Sequence, residues 1–348
     1  MILKSTQLQM DKELKYSSVE EILAHFQKEH PNKSWKLLEP FLFTVERASK
    51  KKNIPEKDYF KAIHEYCLLI ADQMRHPCAF ECHHKAIRSP INYLKVGIDL
   101  FSPLIDFENS QLRGIENVRK IASYVAAGEN VILFANHQIE ADPLMIYFLL
   151  EKEFSALNEK MTFIAGERVL TDPLAVPFSL GFHLFSVYSK KYFDSHPTRV
   201  TEMKAHNHKA ILVISQELNA GGNCLYIAPS GGRDRCNSSG IVEVAKFDPQ
   251  STELMYLLGR RSKKPTHFFP LAMSTHDILP PPSSLQIDLG EHRISREAPI
   301  YLHFGNEIDM EHFPPSEDPH LTKKEARANF IWKLVLDMYN QFPKNHSL

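Results

Sequence analysis

Asn136-His137-Gln138-Ile139-Glu140-Ala141-Asp142-Pro143 decides how the rest of the chain is read. A short apolar run, Val131-Ile132-Leu133-Phe134-Ala135, leads into it and reads as a buried strand. Leu144 to Leu150 follows as a buried helix, with Pro143 expected at its first position. A His and an Asp with four residues between them thus stand where a strand ends and a helix begins, and in open α/β sheets ligands bind there. A carboxylate beside an imidazole fixes its tautomer and stabilises its charged form, which makes the His a general base. Taken alone, the same pair reads as a helix cap beside an ordinary loop His. The strand-loop-helix setting is what favours chemistry.

Outward from this point the pattern repeats. Met161–Ala165 is an expected strand followed by Gly166-Glu167-Arg168, and Leu184–Tyr188 is followed by Ser189-Lys190-Lys191. Cys224–Ala228 leads into Ser230-Gly231-Gly232-Arg233-Asp234-Arg235, and His267–Ala272 leads into Ser274-Thr275-His276-Asp277. Leu285–Leu289 and Ile300–Phe304 are further expected strands. Helices are expected over Ile115–Ala126, Ala210–Leu218 and Thr322–Tyr339. Alternation of this kind gives an α/β domain with a mixed, mostly parallel sheet flanked by helices. Upstream, residues 1 to about 75 contain no glycine and carry amphipathic stretches at helical spacing. Ser18 to Glu21 has the form of a capping box. These features predict a small helical bundle over residues 1–76 and an α/β domain over 77–348, with an irregular connector at 76–112.

Composition narrows the function classes. The 348 residues are 43% hydrophobic with a net charge of -1, which argues against a protein devoted to nucleic acid. Five cysteines, an odd count without repeated spacing, suit a reducing compartment. Cys78, Cys82, His83 and His84 have no second ligand pair at zinc spacing, so no metal is expected. No apolar run approaches the ~18–20 residues of a membrane span, and the first residues lack the apolar core of a secretory signal. The chain is expected to be soluble and at most to touch a membrane surface.

The strand ends carry cations. Arg233 and Arg235 offer fork-shaped donors suited to phosphate, and Gly231-Gly232 allows close backbone approach. Lys191 supplies a point charge. No Gly-Lys-Ser/Thr follows the glycines and no G-x-S-x-G elbow surrounds a serine, which removes Walker-type and serine-hydrolase readings. One His-Asp pair among several cations indicates general-base chemistry on a phosphorylated, hydroxyl-bearing substrate.

With these residues in view, NHQIEADP resembles the H-x-x-x-x-D motif of the glycerolipid acyltransferases. Together with GERVLTDPLAVPFSLG, VYSKK, IAPSGGRDR and FPLAMSTHDILPPP it is similar to the plastid-type glycerol-3-phosphate 1-acyltransferase family, in ordered blocks from about His83 to Pro282. The resemblance implies acyl transfer from acyl-carrier protein or coenzyme A to the sn-1 hydroxyl of glycerol 3-phosphate, without a cofactor. It implies His137 as base, Asp142 as its orienting partner, and Lys191, Arg233 and Arg235 as phosphate ligands. Family members carry His after the lysine. Here Tyr192 stands there, which gives a hydrogen bond but no charge.

Backbone N–H groups at the helix start or the Gly231-Gly232 turn are candidate oxyanion donors. Leu174, Val176 and Phe178, continued by Leu180 and Phe182, are candidates for an acyl groove or for plain core. Lys50-Lys51-Lys52 is a candidate docking point for an acidic carrier or a solvated helix end. Other acceptors, lysophosphatidate or dihydroxyacetone phosphate, and a non-catalytic carrier- or phospholipid-binding module are the alternatives. The family places the protein in a plastid stroma or a bacterial cytoplasm.

Overall fold

The computed structural model describes residues 16–189, 193, 197–281, 294–315 and 318–343. The expected strand at 285–289 lies outside them. The first three helices are α1 (Val19–Glu29), α2 (Ser34–Lys51) and α3 (Glu56–Arg75). At the start of α1 the Ser18 hydroxyl accepts from the Glu21 backbone N–H at 3.2 Å, as expected of a cap. The return bond differs, because Glu21 accepts from the Ser17 backbone rather than from Ser18. The connector holds more order than its sequence suggested. Strand β1 (His83–His84) and helix α4 (Tyr93–Phe101) lie in it, with Asn92 capping α4.

The α/β part runs β2 (Gln111–Arg113), α5 (Ile115–Ala126), β3 (Asn130–Ala135), α6 (Asp142–Asn158) and β4 (Met161–Gly166). Two short helices follow, α7 (Arg168–Thr171) and α8 (Val176–Ser179), then β5 (His183–Val187), α9 (Val200–Ala220) and β6 (Cys224–Ile227). After a small hairpin, β7 (Arg235–Cys236) and β8 (Val242–Glu243), come α10 (Pro249–Arg261), β9 (Thr266–Ser274), β10 (Tyr301–Phe304) and α11 (Lys323–Tyr339). Sequence periodicity missed α10, although its N-terminus is plain. Asp248 caps it by accepting from Ser251 N at 2.8 Å, and Pro249 opens its first turn.

Eight strands form one sheet in the order β1-β5-β4-β6-β3-β9-β10-β2. The five central strands β5, β4, β6, β3 and β9 are mutually parallel. β1 and β10 run antiparallel to their inner neighbours, and β2 follows β10. The sheet is therefore mixed and mostly parallel, as the sequence indicated. One consequence is decisive for the site. The C-terminal ends of the five central strands open on one edge, so the segments after β3, β4, β5, β6 and β9 gather there.

β3 is buried along its whole length and its residues divide by parity. Val131, Leu133 and Ala135 face a core shared with α5, α6 and the three N-terminal helices. Ile132 and Phe134 face a second core formed with α9, α10 and α11. Gly114 starts α5 in the left-handed region, φ 74°, where a Cβ would lie 2.0 Å from the Phe304 carbonyl oxygen, so no other residue fits there.

The N-terminal helices join the sheet layer through aromatic rings. Phe101 of α4 packs against Phe41 of α2 at 5.4 Å and Phe178 of α8 at 5.0 Å between centroids. Tyr66 of α3 stacks on Phe178 at 4.7 Å, and its hydroxyl donates to the Leu174 carbonyl at 2.7 Å. Phe101 is fully buried at this junction. Phe101→Ala is expected to cost about 3–5 kcal/mol. Urea unfolding followed by both aromatic fluorescence and far-ultraviolet dichroism checks this. Because the core is continuous, the two probes should report one shared, shifted transition rather than early loss of the N-terminal helices.

Candidate active site

The site starts from one residue that sequence reading assigned no role. Asn136 follows β3 and is fully buried. Its side chain extends the sheet ladder: Oδ1 accepts from Met273 N at 2.8 Å and Nδ2 donates to Met273 O at 2.9 Å. Its own carbonyl accepts the Tyr226 hydroxyl at 2.8 Å. The turn carrying His137 is thereby clamped to β9 and β6 before the H-x-x-x-x-D motif begins.

Asp142 then gathers the turn. It is 1% exposed. Oδ2 accepts from His137 Nδ1 at 2.8 Å, Gln138 N at 2.8 Å and Ile139 N at 3.3 Å. Oδ1 accepts from the Thr275 hydroxyl at 2.6 Å. These donors belong to the preceding turn and to the segment after β9, so Asp142 does not act as a helix cap. It is itself the first residue of α6, one position earlier than expected. With Nδ1–H committed to the carboxylate, Nε2 of His137 carries the free lone pair. The His137 side chain is 27% exposed, so the ring is held on one side and open on the other.

Gln138 completes the frame. Its carbonyl oxygen accepts from Thr275 N at 2.7 Å and His276 N at 2.9 Å, and its amide donates to Asp234 Oδ2 at 3.2 Å.

Asp234 is another residue that the sequence did not reveal, since it stood there only as the spacer between two arginines. It is fully buried. It accepts from Asn136 Nδ2 at 2.8 Å, Gln138 Nε2 at 3.2 Å and Ala245 N at 2.9 Å. Its backbone N–H donates to the His137 carbonyl at 2.6 Å. The alternating Arg-Asp-Arg thus points its middle carboxylate inward and ties the arginine loop to the histidine turn. Burial pushes the Asp234 carboxyl up to about 6, against the opposing pull of its hydrogen-bond donors.

Arg233 and Arg235 both lie on this tethered loop, and Arg235 opens β7. Arg233 Nη1 stands 3.8 Å from Glu140 Oε1, with both side chains 12% exposed. Lys191 and Tyr192 lie outside the described residues. The turn at Gly231, φ 61°, is closed by its N–H donating to Ala228 O at 3.1 Å, so that one N–H of the Gly231-Gly232 turn is already engaged.

Two apolar and basic expectations meet a different setting. Leu174 and Val176 are each 1% exposed and Phe178 is half-buried between Tyr66 and Phe101, which makes all three part of the core under the N-terminal helices. Phe182 lines a narrow cleft with Pro143, Tyr147 and Phe163. In the basic run, Lys50 pairs with Glu46 at 2.8 Å, Lys51 pairs with Glu297 at 2.5 Å, and Lys52 donates to the Ile105 carbonyl at 2.6 Å. Each of the three lysines already has a partner within the protein, so their sign alone does not mark a docking face. His83 and His84 form an edge strand on β5. Among the described residues no cluster of His, Cys, Asp and Glu has metal-site geometry, and no helix is long and apolar enough to cross a membrane.

Residues 109–274 match the acyltransferase family model, a span that holds His137, Asp142, Arg233, Asp234 and Arg235. The chain is similar to chloroplastic glycerol-3-phosphate acyltransferases. It is 39% identical over 265 residues to one from Cucurbita moschata, covering 76% of this chain and 57% of that protein. It is 35% identical over 264 residues to one from Arabidopsis thaliana, covering 76% and 58%. With one from Spinacia oleracea the identity is 40% over 219 residues, covering 63% and 46%. The chain thus spans roughly half the length of these relatives.

Asp234 makes the domain's stability depend on pH in a definite direction. Below about pH 4 its carboxyl is protonated in both folded and unfolded chains. Between about 4 and 6 the unfolded chain ionises while the folded one keeps its proton, so folding loses stability as pH rises. The loss levels off above 6 at about 3 kcal/mol, from two pKa units at about 1.4 kcal/mol each. Asp234→Asn removes this dependence. Urea titrations of both proteins from pH 4 to 7 should show the wild type losing about 3 kcal/mol relative to the variant. A constant difference across that range would show that Asp234 is not held as described.

Proposed function

We propose that this protein is a glycerol-3-phosphate 1-O-acyltransferase. The observation that carries the reading is the 2.8 Å bond from His137 Nδ1 to Asp142, on a turn tethered by Asp234 to the loop of Arg233 and Arg235. A base and a phosphate-binding loop are thereby fixed to one another at the open edge of the sheet. The names of the relatives agree with the same chemistry.

The reaction is direct transfer. His137 Nε2 takes the proton from the sn-1 hydroxyl as that oxygen attacks the thioester carbonyl carbon. The imidazolium is stabilised by Asp142. The tetrahedral intermediate then collapses, the carbon–sulfur bond breaks, and the leaving thiolate recovers the proton from His137. The products are 1-acyl-glycerol 3-phosphate and free thiol. No cofactor is needed, because the thioester already carries the activation. Arg233 and Arg235, with Lys191, hold the phosphate. Acyl-carrier protein or coenzyme A carries the acyl group. The relatives are named as chloroplastic, which favours a plastid for this chain over a bacterial cytoplasm.

Purified protein supplied with palmitoyl-coenzyme A or palmitoyl-acyl-carrier protein should release thiol when glycerol 3-phosphate is added. His137→Ala should lower turnover about 10²–10⁴-fold while melting like the wild type. Thiol release with lysophosphatidate alone would move the assignment to a different acceptor. Binding of the carrier without release under any condition would leave a non-catalytic module.

A further inference from the structure

We infer that Thr275 is a positioning residue for the base: its hydroxyl locks the carboxylate of Asp142, and through it the ring of His137, in the orientation that proton transfer needs. This rests on the acyl-transfer reading and adds a third member to its His-Asp pair. That member comes from the segment Ser274-Thr275-His276-Asp277, at the end of β9. A carboxylate turns about the bond that joins it to Cβ, and that torsion is broad and roughly two-fold. Oδ2 of Asp142 gathers His137 Nδ1, Gln138 N and Ile139 N, all from the turn just before it. These donors share one oxygen, so by themselves they leave the carboxylate plane free to tilt about it.

Oδ1 is held from elsewhere in the chain. The Thr275 hydroxyl donates to it at 2.6 Å, within the range of about 2.5–2.7 Å for a hydroxyl on a charged oxygen. An ionised carboxylate only accepts, so the direction of this bond is settled. With donors on both oxygens from two separate parts of the chain, the carboxylate plane has one setting. Thr275 is itself well fixed. It is 1% exposed, its N–H donates to Gln138 Oε1 at 2.7 Å, and its carbonyl accepts from Ile278 N at 3.1 Å. Its β-branched side chain is stiff at χ1. The end of β9 therefore delivers the hydroxyl, and a flexible arm does not. When His137 takes a proton, the new charge meets a carboxylate already facing it. Without the hydroxyl, that carboxylate has to be oriented within the reaction step itself.

The test separates the hydroxyl of Thr275 from its shape. Thr275→Val keeps the shape and loses the donor, whereas Thr275→Ser keeps the donor and loses a methyl group. Thiol release is measured with palmitoyl-coenzyme A and glycerol 3-phosphate and counted per folded molecule by far-ultraviolet dichroism. Thr275→Val should lower kcat by about tenfold to a hundredfold, the worth of one hydrogen bond to a charged group. KM for both substrates should stay within about twofold, because the bond acts on the proton transfer and not on binding. Thr275→Ser should recover most of the lost kcat. In an Asp142→Ala background, adding Thr275→Val should change kcat by less than about twofold, since residues that act through one another are not additive. Three results would each overturn the inference and leave the acyl-transfer reading standing: Thr275→Val with the wild-type kcat, Thr275→Ser falling as far as Thr275→Val, or Thr275→Val costing the same factor with and without Asp142. A wild type that releases no thiol with any acceptor would overturn the acyl-transfer reading, and the inference with it.

Discussion

Everything at the open edge of the sheet depends on the buried carboxylate of Asp142. One oxygen draws in the imidazole of His137 and two backbone N–H groups of the turn, and the other takes the Thr275 hydroxyl from the segment after β9. An isolated carboxylate in that position would cost several kcal/mol in lost hydration. Four donors supply the replacement, drawn from the turn itself and from the far side of β9. The His ring is therefore oriented by the packing of two strands and a helix rather than by its own rotamer preference. Such a ring needs no reorganisation when a proton arrives.

Asp234 repeats the device at the next strand end. Its carboxylate is satisfied by Asn136, Gln138 and Ala245, and its N–H returns to His137. The two carboxylates divide the work. Asp142 sets the tautomer and direction of the His137 ring, whereas Asp234 ties the turn of that ring to the guanidinium loop. Both rely on the turn that Asn136 anchors, since its amide continues the ladder between β3 and β9 past the last residue of β3. A side chain that imitates a peptide group carries the rigidity of the sheet into the first residue of a loop. Loops that hold catalytic groups within tenths of an ångström need support of this kind.

The sequence disclosed those parts whose meaning is local. Val131 to Ala135 is apolar at every position, which only a strand covered on both faces requires. His137 and Asp142 were legible because their residue types and their position after that strand point to one chemistry. Asn136, Gln138 and Asp234 were not, because each acts through a partner about a hundred residues away, and nothing in their neighbours distinguishes a tether from a polar loop. β2 and α4 are short, and short elements leave little periodicity to read. Leu174 and Val176 show a further limit. The lining of an acyl groove and the interior of a core have one composition, and only the placement of Tyr66 and Phe101 separates them. Lys50 to Lys52 likewise show charge without showing that Glu46, Glu297 and a carbonyl already answer it.

The order of the strands has a consequence for how the chain comes to exist. β3 lies inside the sheet, yet its neighbours are β6 and β9, and the register sets Asn130 against Thr266. During synthesis this fully buried strand emerges long before either partner. Its two bare edges are then a template for pairing with other chains. Contacts this far apart in sequence also close slowly. The N-terminal helices, made of local contacts and already complete by then, offer the first apolar surface for α6 and the face of β3 that bears Val131 and Leu133. Their earliest service to the protein is therefore as a shelter for a strand still waiting for its neighbours.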